Sequence, residues 1–172
     1  LMKKIGIISD THSYWDNSFK KYFGLCDEIW HAGDIGDLNI SDELNKIAPV
    51  KGVYGNIDNH LIRKEFPHEI YFNYGSQNIY ITHIGGHPEK YNRRCFEKLQ
   101  KFKPQIFVCG HSHICKVIYD KKLNLLYINP GAAGIVGFHK IRTLVRFELH
   151  TDKIANLEVI ELGPRKKLSK SI

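Results

Sequence analysis

No uninterrupted apolar run of about 18 residues occurs in this 172-residue chain, so no segment reads as a membrane-spanning helix. Proline is sparse, at six residues, and no Pro/Ser-rich linker, low-complexity tract or internal repeat divides the sequence. Cysteine is limited to Cys26, Cys95, Cys109 and Cys115, with no CxxC pair, which argues for reduced thiols rather than a disulfide framework. Cys109 and Cys115 flank two histidines, yet their spacing is not that of a thiolate zinc site. The apolar stretch after Met2 is too short for the core of a signal peptide and runs straight into Asp10, so none is expected there. Met2 reads as the initiator, with Leu1 a remnant ahead of it, and the expected location is the cytoplasm.

What is present is the composition of a folded enzyme-sized domain. Apolar residues make up 42% and aromatics 12%, which excludes a disordered chain. The length suits one domain, expected over residues 1–163, able to bury roughly 70% of its unfolded surface. The net charge is +7, but four of those charges lie in residues 164–172, which reads as a flexible basic tail. The remainder is only weakly basic, so nucleic acid is not the expected partner.

Short apolar runs alternate with amphipathic stretches over the first two thirds. Strands are expected at Lys4–Ser9, Glu28–Ala32, Val50–Tyr54, Asn78–Thr82 and Gln105–Cys109, with helices at 17–25, 41–48 and 88–101. Ser41 reads as the cap of the second helix. A turn is expected at Gly75-Ser76-Gln77. The alternation argues for an α/β domain. The end of the chain, around 116–119, 125–128, 144–149 and 156–162, is β-rich and suggests a second sheet of hairpins packed on the first.

The informative residues follow the strands. The first strand ends in Asp10-Thr11-His12, the second in Gly33-Asp34, the third in Gly55-Asn56-Ile57-Asp58, the fourth in His83 and the fifth in Gly110-His111-Ser112-His113. Open α/β sheets bind ligands at the carboxyl ends of their strands. Any one of these motifs alone is an ordinary turn or a hydrogen-bonded histidine. Five at the same topological place bring metal-ligating side chains to one edge, and the glycines before Asp34, Asn56 and His111 allow the backbone to approach closely.

The order Asp-x-His, Gly-Asp-x-x-Asp, Gly-Asn, His, Gly-His-x-His resembles the calcineurin-like metallophosphoesterase superfamily. The Gly-Asn-x-Asp form and the Asn129-Pro130-Gly131 loop are most similar to its small bacterial and archaeal phosphodiesterase branch. The retromer subunit shares that fold. The resemblance implies a four-layer αββα sandwich, two β-sheets packed face to face and flanked by helices. It implies that Asp10, His12 and His113 bind one metal, that Asn56, His83 and His111 bind a second, and that Asp34 bridges them. The ions would be divalent transition metals, manganese first, with Fe, Zn, Co or Ni as alternatives. A bridging hydroxide would attack a small phosphodiester in line. Asp34, Asp37, Asp58 and His87 are the candidate catalytic residues.

The sequence departs from the family at two telling places. Many members carry histidine after the Asn of the third motif, to assist the leaving group; here Ile57 stands there, leaving Asp37 without its expected partner. Easily departing leaving groups, or a donor such as His87, His60 or His139, would compensate. The fourth motif reads His83-Ile84-Gly85-Gly86-His87 where a shorter His-Gly-His is common, and His83, which ends the strand, is the expected ligand. His31 reads as a supporting histidine, Trp15 and Tyr14 as core packing or a wall of the site, and Arg93 and Arg94 as a solvated face. A partner-binding scaffold of the same fold and a nuclease are the alternative functions, and a homo-oligomer is compatible with the sequence.

Overall fold

The computed structural model describes residues 1–165, in which the expected strand runs come together as two stacked sheets. In the first sheet β1 (Met2–Ile8), β2 (Glu28–His31) and β3 (Val50–Gly52) are parallel. In the second, β4 (Glu69–Tyr74) and β5 (Gln77–Thr82) form a hairpin, and β5 continues in parallel to β8 (Ile106–Val108). β10 (Leu125–Pro130) lies parallel to β8 and antiparallel to β9 (Cys115–Asp120). β6 (Gly86–His87) and β7 (Lys90–Tyr91) make a separate small ribbon. The last two strands, β11 (Ile141–His150) and β12 (Ile154–Pro164), return to the first sheet, giving the order β12-β11-β1-β2-β3.

Burial explains the layering. Ile5, Ile7, Trp30 and Val53 of the first sheet meet Ile79, Ile81, Ile106 and Val108 of the second in a dry core between the sheets. Trp30 is fully buried there, edge-on to Phe72 and Phe147, with its indole N–H donated to Glu28. On the outer face of the first sheet, Phe19 and Phe23 of α1 (Ser18–Phe23), Ile40 and Leu44 of α2 (Leu38–Asn45) and Ile62 of α3 (His60–Glu65) cover Ile8 and Ile29. Cys95 and Leu99 of α4 (Arg93–Phe102) cover Tyr80, Phe107 and Tyr127 on the outer face of the second. Each such side chain taken from water stabilises the fold by about 1.5–3 kcal/mol. The result is the expected four layers.

Three local expectations need correction. The β-rich end does not form a second sheet by itself: β11 pairs antiparallel with β1, so only β9 and β10 join the second sheet, beside strands from earlier in the chain. α2 starts at Leu38 rather than at Ser41, because the Asp37 carboxylate caps it by accepting from Asn39 N–H, while Ser41 bonds back to Leu38 O inside the helix. α4 starts at Arg93, where Asn92 accepts from the N–H groups of Arg94 and Cys95, and residues 86–91 supply the ribbon instead of a first turn. At the end of the described residues Pro164 pairs with Ile141 in β12, and Arg165 donates to Lys140 O and His139 O. Residues 166–172 of the expected tail lie outside the described residues. Among the described residues no helix is long and apolar enough to cross a membrane.

Candidate metal centre

β1, β2 and β3 of one sheet and β5 and β8 of the other end at the same edge, and the loops that follow carry all seven side chains assigned to metals by resemblance. Five of those seven residues hold positive φ: Asp10 at 53°, His12 at 43°, Asp34 at 54°, His111 at 70° and His113 at 61°. Left-handed backbone at a non-glycine residue costs on the order of 1–3 kcal/mol and persists only where the surroundings impose it. Here it turns consecutive side chains inward from tight loops.

The donors fall into two groups, within each of which the nearest donor atoms all lie within 4.8 Å of one another. The first comprises Asp10, His12, Asp34 and His113; the second comprises Asp34, His83 and His111. Asn56 joins the second through its Oδ1, which sits 3.1 Å from His83 Nε2 and 3.0 Å from His111 Nδ1. Asp34 is common to both. Its Oδ2 lies 3.5 Å from His12 Nε2 and 3.2 Å from His83 Nε2. Asp10 Oδ1 lies 3.1 Å from His113 Nε2 and 3.9 Å from His12 Nε2.

The donor chemistry fits a cation in each group. Asp10 Oδ2 accepts from the Ser9 hydroxyl and from His111 N–H, but among the described residues its buried Oδ1 has no hydrogen-bond partner, and neither has the buried Nε2 of His12. His83 donates Nδ1–H to Ala32 O at 2.7 Å, so Nε2 of the neutral ring points a lone pair at Asn56 Oδ1 and Asp34 Oδ2, both acceptors. Lone pairs facing one another in a buried site need a positive charge between them, and either a proton on His83 Nε2 or a metal ion in its place supplies it. Burial alone would lower the His83 pKa, but the Asp34 and Asp10 carboxylates outweigh it and raise it. Asp34 is likewise opposed by burial, yet His83 and the Ile57 N–H hold its carboxyl below the usual range. Burial pushes His12 and His111 down, towards the neutral form that can ligate a metal.

A second tier of contacts fixes these loops. Asp58 is buried with both oxygens spent on backbone, accepting from the N–H groups of Ile35, Gly36 and Gly55. Asn129 donates to Gly110 O and to the Ser112 hydroxyl, bracing the loop between His111 and His113. His31 accepts from Gly33 N–H at Nδ1 and faces the Thr11 hydroxyl at Nε2; burial pushes it down to about 4, so it is a neutral brace, as expected. Glycine is needed where loops touch: a Cβ on Gly55 would stand 2.0 Å from Asp34 Oδ1, and one on Gly110 would stand 2.7 Å from Asp10 Oδ2.

The four candidate catalytic residues do not share one place. Asp34 sits at the centre. Asp37 is exposed and caps α2, and Asp58 lies behind the loops with both oxygens bonded to backbone N–H groups, so neither is brought to the donor groups. His87 is exposed on the ribbon, its Nδ1 bonded to Pro88 O, and stands outside both donor groups. His83, not His87, is the histidine brought to the donors. Of the other histidines, His60 is exposed at the start of α3, whereas the His139 ring lies 5.2 Å from that of His113. Trp15 packs on Phe19 and Tyr14 lies under the Arg142 guanidinium. Arg93 pairs with Glu97 on the surface, while Arg94 contacts His68 and Glu69. Cys109 and Cys115 belong to neither donor group, and burial pushes the Cys109 thiol up to about 12.

Two residues were missed by sequence reasoning. Arg63 donates to Asp58 O and Asn56 O and lies over the Tyr54 ring, clamping the Asn56 loop. His68, with Arg63, lines a small cavity that also contains Asn56 and His83. Neither lies in a motif, because each reaches the site from outside the strand-end loops.

With this site on the same strand ends in two stacked sheets, comparison with known proteins is direct. The chain matches the calcineurin-like phosphoesterase superfamily domain over residues 2–152 and belongs to that superfamily. It is 31% identical over 138 residues to a probable metallophosphoesterase of Methanocaldococcus jannaschii, covering 76% of this chain and 68% of that protein. A solved archaeal phosphodiesterase superposes with a TM-score of 0.71 at 25% identity, over 92% of this chain and 99% of the other. Vps29 of Chaetomium thermophilum superposes with a TM-score of 0.74 at 16% identity, over 95% and 100% of the two chains, a likeness of fold.

Proposed function

We propose that this metallophosphoesterase is a phosphodiesterase that hydrolyses a small phosphodiester with two divalent transition-metal ions, manganese first among them. The observation that carries the reading is Asp34, the one carboxylate common to two donor groups. Asp10, His12 and His113 would hold one ion and Asn56, His83 and His111 the other, with Asp34 shared. Two such ions supply positive charge to the phosphoryl oxygens and acidify water to make a nucleophile at neutral pH. The chain's own part is to keep the imidazoles aimed: Ala32 O takes the His83 Nδ1–H and leaves Nε2 facing the site, and Asp58 and Asn129 hold the loops in place. Ile57, exposed beside Asn56, has no proton to give, so esters with good leaving groups are favoured.

The archaeal phosphodiesterase likeness supports the diester, and the complete set of seven donors favours an enzyme over a Vps29-like scaffold. Chelator-stripped protein assayed with Mn, Fe, Zn, Co and Ni against phosphomonoesters, phosphodiesters, cyclic nucleotides and oligonucleotides tests the reading. Diester hydrolysis restored by manganese is the expected result. Hydrolysis of no ester under any metal would leave the scaffold, and a preference for oligonucleotides would make the protein a nuclease.

A further inference from the structure

A cleft of about 840 Å³ opens beside His111, within the range of small-molecule sites. Its lining combines two chemistries. Ile84 and Ile114, which directly follow the donor candidates His83 and His113, both line it and are 41% and 66% exposed. Tyr127 and Tyr91 add ring carbon, since their hydroxyls are already donated to Gly86 O and Asp120. Lys90 and Lys116 line the same cleft, and among the described residues neither is paired with a carboxylate. Isolated exposed isoleucines are ordinary, but two beside metal donors, in a cleft with two uncompensated ammonium groups, define a ligand.

Resting on the diesterase reading, we propose that this cleft receives one arm of the substrate, and that this arm is a planar aromatic group carrying a second negative charge, as in a nucleotide. His111 lies on both the donor group and the cleft, so the cleft is within reach of a substituent on a phosphate held at the donors. A ring is matched by the isoleucine and tyrosine carbon, and an anionic group by the lysines. An arm of bare sugar would leave the isoleucines in contact with hydroxyls, and a neutral alkyl arm would leave the lysines unused.

Thymidine 5′-(4-nitrophenyl phosphate), with and without a 3′-phosphate, isolates the second charge, because scissile bond and leaving group are the same in both. The 3′-phosphorylated ester should have a KM lower by about tenfold, the effect of one charge-assisted contact. In a Lys90→Ala/Lys116→Ala variant, checked for metal content and circular dichroism, the ratio of the two KM values should collapse towards one. Independently of turnover, thymidine 3′,5′-bisphosphate titrated into zinc-loaded protein should shift the methyl resonances of Ile84 and Ile114. Equal KM values in the wild type, or isoleucine methyls that do not move, would overturn the assignment. If the wild type cleaves neither ester, the diesterase reading fails, and the methyl titration alone decides whether the cleft binds an anionic aromatic arm.

Discussion

Replacing Asp34 by asparagine takes one negative charge from the position common to both donor groups and leaves the shape of the side chain nearly unchanged. Oδ1 accepts from Ile57 N–H at 3.1 Å, a contact an asparagine oxygen keeps. The charge is lost at a side chain only 3% exposed, close to His12 and His83. A unit charge acting over about 4 Å through an effective dielectric constant of about 20 is worth about 4 kcal/mol. Affinity for either ion should therefore fall by about 10³-fold. Asn56→Ala, which removes only a neutral oxygen from one group, should cost less, since water replaces a neutral donor well. Dialysis against graded free manganese, followed by elemental analysis, measures both variants, with circular dichroism in chelator as the check on folding. Retention of two ions by Asp34→Asn at wild-type affinity would refute the shared-carboxylate account. So would a larger loss from Asn56→Ala.

Other consequences follow from the same contacts. Gly55→Ala places a methyl against Asp34 Oδ1, so it should lower thermal stability by about 1–3 kcal/mol and weaken metal binding together, read by melting with and without manganese. Asn129→Ala takes the side-chain acceptor from the buried Gly131 N–H and one of two donors from Gly110 O, which keeps Ser112 N–H, and should cost about 1–3 kcal/mol in urea unfolding. Burial opposes ionisation of Glu28, but Lys3, Lys51 and the Trp30 indole outweigh it and hold its carboxyl below the usual range. Its contribution is therefore present above the ordinary glutamate pKa and is lost as the pH falls through the lowered value. Glu28→Gln should destabilise by about 0.5–1 kcal/mol at neutral pH, the lysines being half-exposed, and the gap should close in acid.

The site was readable from sequence because its residues sit where short buried strands stop. β1, β2, β5 and β8 bury Ile, Trp, Tyr, Phe and Val just before they stop, β3 leads into buried Val53, and the polar residues that follow stand out against them. Residues that support the site from elsewhere left no such mark. Asp58 looked catalytic because it closes a motif, yet its oxygens serve three backbone N–H groups brought from two loops, a long-range fact. Arg63 lies on a six-residue helix too short for periodicity to reveal. β4 escaped notice because Ile70, Tyr71 and Phe72 run together without alternation. Ser41 was the expected cap of α2, but Asp37, four residues earlier, takes that place. The division of strands between sheets followed chain order in the expectation, whereas β11 crosses back to pair with β1, where Val145, Phe147 and Leu149 fill the core between the sheets.

The central claim is that the seven strand-end residues hold two ions across Asp34. Anomalous diffraction at the manganese edge, from crystals grown with manganese, tests it most directly. Two peaks should appear, one among Asp10, His12 and His113 and one among Asn56, His83 and His111, with Asp34 touching both. A single peak, or peaks that leave Asp34 uncoordinated, would contradict it.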